Sequence, residues 1–288
     1  MKYLILFIVG LLVSCSTVPK TQKVLYVTTE PGKHHDYTAQ RLIFEQVAKD
    51  AGWDYTVHSN EHYEQLKQLV DSNLTTGYDA VVYNFCFAKS KDLLAAENMI
   101  NQTRVKGTPA MVIHCSMHSF WPTFKDGESS EVLGSNYKGS GKPDPEEVKK
   151  WQEQYPDRPF PVWGDFTGIA STSHGPKIPM KVEKCCEHEA TKSLAKQGYT
   201  TVNAELYNNY YMVDGVKPLL RGVQKGEAMR GKGNNKKLVK VDDEAIIMWQ
   251  VPQGKSEVIG LTTGHSTEEW QQKEFQLLIK DAVNYLLK

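Results

Sequence analysis

Four short apolar runs alternate with helical patterns at roughly 25-residue spacing through the first part of this sequence, and that alternation constrains the fold more than any other feature. The runs are 23–29 (KVLYVTT), 53–58, 78–85 (YDAVVYNF) and 109–114. Between them, 38–51 carries Leu42, Ile43, Val47 and Ala48 at helical spacing and closes on Gly52. Residues 61–69 form a second helix, and 90–105 a third, with Leu93, Leu94, Ala96 and Met99 inward and Gly107 as its stop. Strands that are apolar throughout, rather than at alternate residues, have helices against both faces. The pattern predicts βαβ units and a mainly parallel sheet.

Beyond Phe124 the texture changes. Residues 125–161 are rich in Gly, Ser, Pro, Glu, Asp and Lys and read as an insertion or long loop, with a helical piece near 148–154. The GSGK string inside it is not a phosphate loop: no strand precedes it, and Pro143 and Pro145 break the helix that would hold the phosphate. From Gly168 onward strands predominate, at 178–185, 200–211, 219–223, 245–251 and 257–263. Residues 253–255 form a tight turn and 231–237 a polar loop. The chain closes on an amphipathic helix with Trp270, Phe275, Leu278, Ile279, Ala282, Tyr285 and Leu286 on one side, opened by a capping box between Ser266 and Glu269. There is no internal repeat, and 23–288 reads as a single domain.

At the N-terminus, Lys2 precedes an apolar stretch, 3–13, too short to span a bilayer comfortably. It ends in Leu12-Val13-Ser14-Cys15, which resembles the lipobox of bacterial lipoproteins. That resemblance implies removal of the signal peptide 1–14, lipidation of Cys15, and a polar tether over 15–22. With Ser16 next, it further implies the outer membrane, facing the periplasm of a Gram-negative bacterium. An ordinary secretory signal is the alternative. Lys+Arg 34 against Asp+Glu 34 gives no net charge, and nothing suggests a nucleic-acid partner, which would need a basic stripe. Oligomeric state stays open, a homo-oligomer included.

Chemistry-bearing residues gather where strands end. His34, His35 and Asp36 follow the first strand, and Asn84 and Cys86 end the third. His114, Cys115 and His118 end the fourth, and His265 follows the last. In a parallel sheet these ends share one edge, where ligands bind. Four strand ends together weigh more than any single histidine. His114 and His118 have the spacing of two imidazoles on one helix face, but Cys115 stands where the HExxH zinc motif has its glutamate. Cys86, Cys115, Cys185 and Cys186 read as buried free thiols; a bond between adjacent Cys185 and Cys186 would be strained, and pairing of one of them elsewhere is open, since spacing does not fix it. Glu187, His188 and Glu189 read as an exposed turn. Phe120, Trp121 and Phe124 after the His cluster, and Tyr207, Tyr210 and Tyr211 after Glu205, offer faces that suit sugar rings, whereas Trp270 is a helix-packing residue.

An ordered set of segments is similar to the ThuA-like (trehalose-utilisation) family: KVLYVTTEPGKHHDY, DAVVYN, PAMVIHCSMHSF, WGDFTGIASTSHGP, EKCCEHEATKSL, AELYNN and VIGLTTGHSTEEWQQKEFQLLIKDAVNYLL. The resemblance implies a flavodoxin-like, class I glutamine amidotransferase-like three-layer sandwich with extra C-terminal strands. His114 takes the place of the amidotransferases' nucleophilic Cys, so a Cys-nucleophile amidotransferase is not implied. The residues it points to are His114, His35, Glu205 and His265 as catalytic groups, with His174 and Tyr207 contacting substrate beside Asn84, Cys115 and His118. It implies chemistry on a disaccharide or keto-sugar. Two kinds of chemistry stay open. Imidazole and carboxylate can act as general acid and base. Alternatively His35, His114 and His265 can ligate a divalent metal such as Zn²⁺. A non-catalytic sugar-binding lipoprotein and a metal-dependent hydrolase are the competing readings.

Overall fold

The computed structural model describes residues 21–88, 90–120, 144–171, 173–231, 233 and 236–288. The expected signal peptide, Cys15, Trp121, Phe124 and most of the expected insertion lie outside them. The first half follows the alternation: β1 (Lys23–Thr29), α1 (Tyr37–Ala51), β2 (Asp54–Asn60), α2 (His62–Gln68), β3 (Ala80–Asn84), α3 (Leu93–Arg104) and β4 (Ala110–Ile113). A 3-10 turn over His114–His118 follows β4. Then come α4 (Pro145–Gln154), α5 (Trp163–Thr167), β5 (Ile169–Ala170), β6 (Lys181–Lys184), β7 (Tyr199–Thr200) and β8 (Tyr211–Met212). The chain ends with β9 (Lys217–Arg230), β10 (Lys237–Gln253), β11 (Ser256–Leu261), α6 (Thr267–Gln271) and α7 (Lys273–Leu286).

The main sheet has the order β2-β1-β3-β4-β11-β10-β9-β6-β7. From β2 to β11 every pairing is parallel; from β11 outward every pairing is antiparallel. β11 is therefore the seam, parallel to β4 on one side and antiparallel to β10 on the other. β5 and β8 form a separate two-stranded pair. One apolar cluster joins the sheet to α1, α6 and α7 through Phe44, Val47, Trp270, Phe275 and Ile279. The other joins it to α2, α3 and α5 through Leu66, Ala95, Met99 and Phe166. Both faces are thus covered, which is why β1, β3 and β4 read as apolar runs, whereas the edge strand β2 (DYTVHSN) does not.

Leu42 and Leu94, assigned inward, are exposed, and α1 instead buries Tyr37, Gln40, Phe44, Val47 and Ala48. Residues 200–211 are not one strand. They carry isolated bridges, His174 to Tyr207 and Ile178 to Ala204. There the Asn209 side chain pairs with the Ile246 backbone in both directions, at 2.6 and 2.9 Å. Side-chain amides have taken over the ladder's role here, while Ala204 and Leu206 of this stretch pack into the core. The strands at 219–223 and 245–251 are only the apolar cores of β9 and β10, a long ribbon supported by cross-strand pairs such as Lys225 with Asp242 (3.4 Å). The closing helix is two, α6 and α7, because Gln272 adopts an extended ψ of 129° between them; the Ser266–Glu269 capping box is present.

Cys86 and Cys115 are bonded to each other rather than free. The register explains it. Tyr83 pairs with Val112 across β3 and β4. Each cysteine lies three residues further along its own chain, which brings the two Cα atoms to 5.1 Å. Cys185 and Cys186 are free, as expected, but not buried: Cys185 is exposed and Cys186 half-buried.

Candidate active site

Three imidazoles meet at the carboxyl edge of the parallel strands. His35 follows β1, His114 follows β4 and His265 follows β11. Their ring centroids are 4.7 Å (His35–His265), 5.0 Å (His35–His114) and 5.3 Å (His114–His265) apart. One ring nitrogen from each can be chosen so that all three lie within 4.8 Å of one another. His114 has φ +48°, left-handed backbone, rare for a residue with a side chain and often found where a fold fixes a functional group.

Two of the rings have settled tautomers. A carbonyl can only accept, so His114 Nδ1–H donates to Thr262 O (2.7 Å) and His35 Nδ1–H donates to His265 O (3.0 Å). Nε2 of each neutral ring is left with a lone pair. Gln40 adds a second donor to His265 O at 3.2 Å. Glu269 grips the same loop from below, accepting from Gly264 N and Ser266 N at 3.1 Å each. His265 is thereby held from both flanks.

The second half of the chain supplies the rest. Tyr207 OH donates to His114 Nε2 at 3.1 Å. Glu205 reaches His114 Nε2 at 3.7 Å, His265 Nε2 at 3.2 Å and His174 Nδ1 at 3.6 Å. Lys177 Nζ donates to His265 Nε2 at 2.7 Å and lies 3.6 Å from Glu205. His118 stacks flat on Tyr207, centroids 4.0 Å apart, with its Nε2 2.7 Å from Ser171 Oγ. The floor is closed, with His114 and Glu205 side chains 2% and 5% exposed, while Lys177 and His174 at the mouth are 52% and 47% exposed.

Burial sets the protonation states. It holds His114 well below its ordinary value and depresses His35. It takes His118 to about 3 and, with help from His35, His265 to about 4. Burial also raises Glu205 above the usual carboxylate range, opposed by His174 and Lys177, and keeps Tyr207 a neutral phenol. At neutral pH the His35, His114, His118 and His265 rings are therefore uncharged, with Nε2 of His114 accepting from Tyr207 and Nε2 of His265 from Lys177.

A folded-state value depressed below the unfolded one means that the unfolded chain binds the proton more tightly. Stability is then full above the unfolded value and lost as pH falls toward the folded value. For His118 alone the loss reaches about 2 kcal/mol by about pH 5. The thermal midpoint should fall between about pH 7 and about pH 4, and less steeply in His118→Asn. A variant as acid-sensitive as the parent would show that His118 is not buried neutral.

Of the residues singled out from sequence, His35, His114, His265, Glu205, Tyr207 and His174 are brought together, with His118 beside them. Asn84 is not in the cluster: it lies behind, donating to Tyr26 OH (2.8 Å) and Gln40 Oε1 (2.9 Å). It acts through Gln40 on the His265 loop. Cys115 is held in its disulfide. Lys177, Gln40 and Glu269 were not anticipated as site residues. Lys177 follows His174 by three positions with no periodic signal, and Gln40 is a polar residue on the buried face of a helix.

No family model and no curated protein matches the sequence. Solved structures do. A ThuA-like protein of Bacteroides uniformis ATCC 8492 aligns with a TM-score of 0.58 and 15% identity, over 94% of this chain and 94% of its own. A ThuA-like protein of Parabacteroides merdae ATCC 43184 aligns with a TM-score of 0.59 and 14% identity, over 93% of this chain and 91% of its own. The likeness extends over both the parallel and the antiparallel halves, and the chain has the fold of these ThuA-like proteins.

Proposed function

We propose that this chain is a carbohydrate-processing enzyme of the trehalose-utilisation type, working by acid–base chemistry at a metal-competent centre. The observation that carries the reading is the pair of Nδ1–H donations to backbone carbonyls, which leaves Nε2 of His35 and of His114 as the unprotonated nitrogen, that of His114 accepting from Tyr207. That arrangement of the second nitrogen is the one metal-ligating histidines use. The donor set fits: three neutral imidazoles and a nearby carboxylate suit Zn²⁺. His35, His114 and His265 would hold the ion, which when bound would polarise a substrate oxygen. Glu205, raised by burial and flanked by Lys177, is the group to take and return a proton. Tyr207 keeps its hydroxyl proton and offers a donor, and its stacked partner His118 fixes the ring. Lys177 stands at the mouth with positive charge for a developing oxyanion.

The sugar assignment draws on the fold shared with ThuA-like proteins. The parallel order β2-β1-β3-β4-β11 supports the flavodoxin-like, amidotransferase-like description of that half. Lipid anchoring at Cys15 in the outer membrane is part of the proposal and rests on Leu12-Val13-Ser14-Cys15. No helix among the described residues is long and apolar enough to cross a membrane.

The test is product formation from trehalose and its 3-keto derivative, followed by NMR, with zinc content read on the same samples. Glu205→Gln should lower turnover by about 10²-fold or more while zinc stays bound. Saturable sugar binding with no product in the parent protein would replace the enzyme with a sugar-binding lipoprotein.

A further inference from the structure

His35 belongs to two ligand sets. Its ring faces His114 and His265 on one side, and one ligand atom each from His35, Cys86 and Cys115 also lie within 4.8 Å of one another. We infer that Cys86 and Cys115, once reduced, form with His35 a second cation site of soft character, in competition with the three-imidazole set for the ring they share. In the disulfide neither sulfur is a thiolate, so this set is silent. A dithiol reductant opens it. The reductant gives two electrons and two protons and becomes a disulfide, the Cys86–Cys115 bond breaks, and two thiols form. Each thiol releases its proton when the cation binds.

The two sets differ in kind. Nitrogen and oxygen ligands accept a range of divalent ions, whereas two thiolates and an imidazole select Zn²⁺, Cd²⁺ or Cu⁺. Cys115 is also the residue after His114, so the covalent bridge from the β3 loop fixes the turn that holds His114 left-handed. Reduction would release that turn and offer His35 to sulfur. The centre would then respond to thiol–disulfide balance, intact when oxidised and dismantled when reduced. The loss of activity this implies rests on the proposed function; the sulfur site does not.

Cd²⁺ is the probe, because its thiolate bonds give an ultraviolet charge-transfer band that imidazole bonds do not. The full chain carries Cys15→Ser, Cys185→Ser and Cys186→Ser to silence the other thiols. The reduced protein should show a saturable band, the oxidised protein none. Cys115→Ser should abolish it, and His35→Ala should weaken Cd²⁺ affinity by about tenfold or more. His114→Ala should leave it intact. Absence of the band, with mass spectrometry confirming two free thiols, would overturn the inference. So would an affinity unchanged in His35→Ala. The three-imidazole reading fails by a different result, an oxidised chain that takes up no zinc.

Discussion

His114→Ala should lower turnover by about 10²- to 10⁴-fold and empty the centre of zinc, with the fold retained. The side chain is fully enclosed and its two nitrogens are separately committed, Nδ1 to Thr262 O and Nε2 to the cluster of Tyr207 and Glu205. Alanine removes both roles. It leaves the Thr262 carbonyl and the Tyr207 hydroxyl without that partner in a buried setting, a cost of about 1–3 kcal/mol. His114→Asn separates chemistry from architecture. Asparagine tolerates the left-handed backbone at φ +48°, and its amide can donate to Thr262. It should regain most of the stability and none of the turnover. Kinetic assay, zinc content and thermal midpoint on the three proteins decide the matter. Parental turnover in the alanine variant would remove His114 from the chemistry.

Trp249→Ala should lower stability by about 3–5 kcal/mol, the range for deleting a large buried aromatic. Trp249 is 0% exposed and lies on β10 opposite Gly260 of β11, at the seam. Its Nε1 donates to Thr167 O at 2.7 Å, tying α5 to the sheet. Gly260 makes room for the ring: a Cβ there would come within 2.4 Å of it. Gly260→Ala should therefore also destabilise, by about 1–3 kcal/mol through overpacking. In a domain of this size the tryptophan variant should lose at least about 6 °C in thermal midpoint. A smaller shift would mean that the two sheet halves are held together elsewhere.

The parallel half of the fold was legible because continuous apolar strands and helical spacing carry their own periods. KVLYVTT and PAMVI could hardly be anything but enclosed strands. The antiparallel ribbon was legible only at its apolar middle, since Lys225, Glu227, Lys240 and Asp242 look like loop residues until a partner strand pairs their charges. The site was legible as far as strand ends reveal it. His35, His114 and His265 follow strands, and parallel pairing puts such positions together. Gln40 acts on backbone carbonyls of a loop remote from it in sequence, and nothing local marks that; the capping box marked Glu269 at Ser266, but not its further hold on Gly264. Asn84 sits at a strand end yet serves the network behind, because side-chain direction depends on which face the register selects. The Cys86–Cys115 bond was within reach: equal offsets from β3 and β4 would have paired them once the register was known.

The position of β11 has a consequence for how the molecule comes into being. The strand that sits between β4 and β10 is the last one made, and it leads directly into Thr262 and His265. A nascent polypeptide can complete β1 to β4 and still have no carbonyl to orient His114 and no third imidazole. Assembly of the centre must wait until β11 and His265 have left the ribosome, so a translation product stopped before them lacks both that carbonyl and that imidazole.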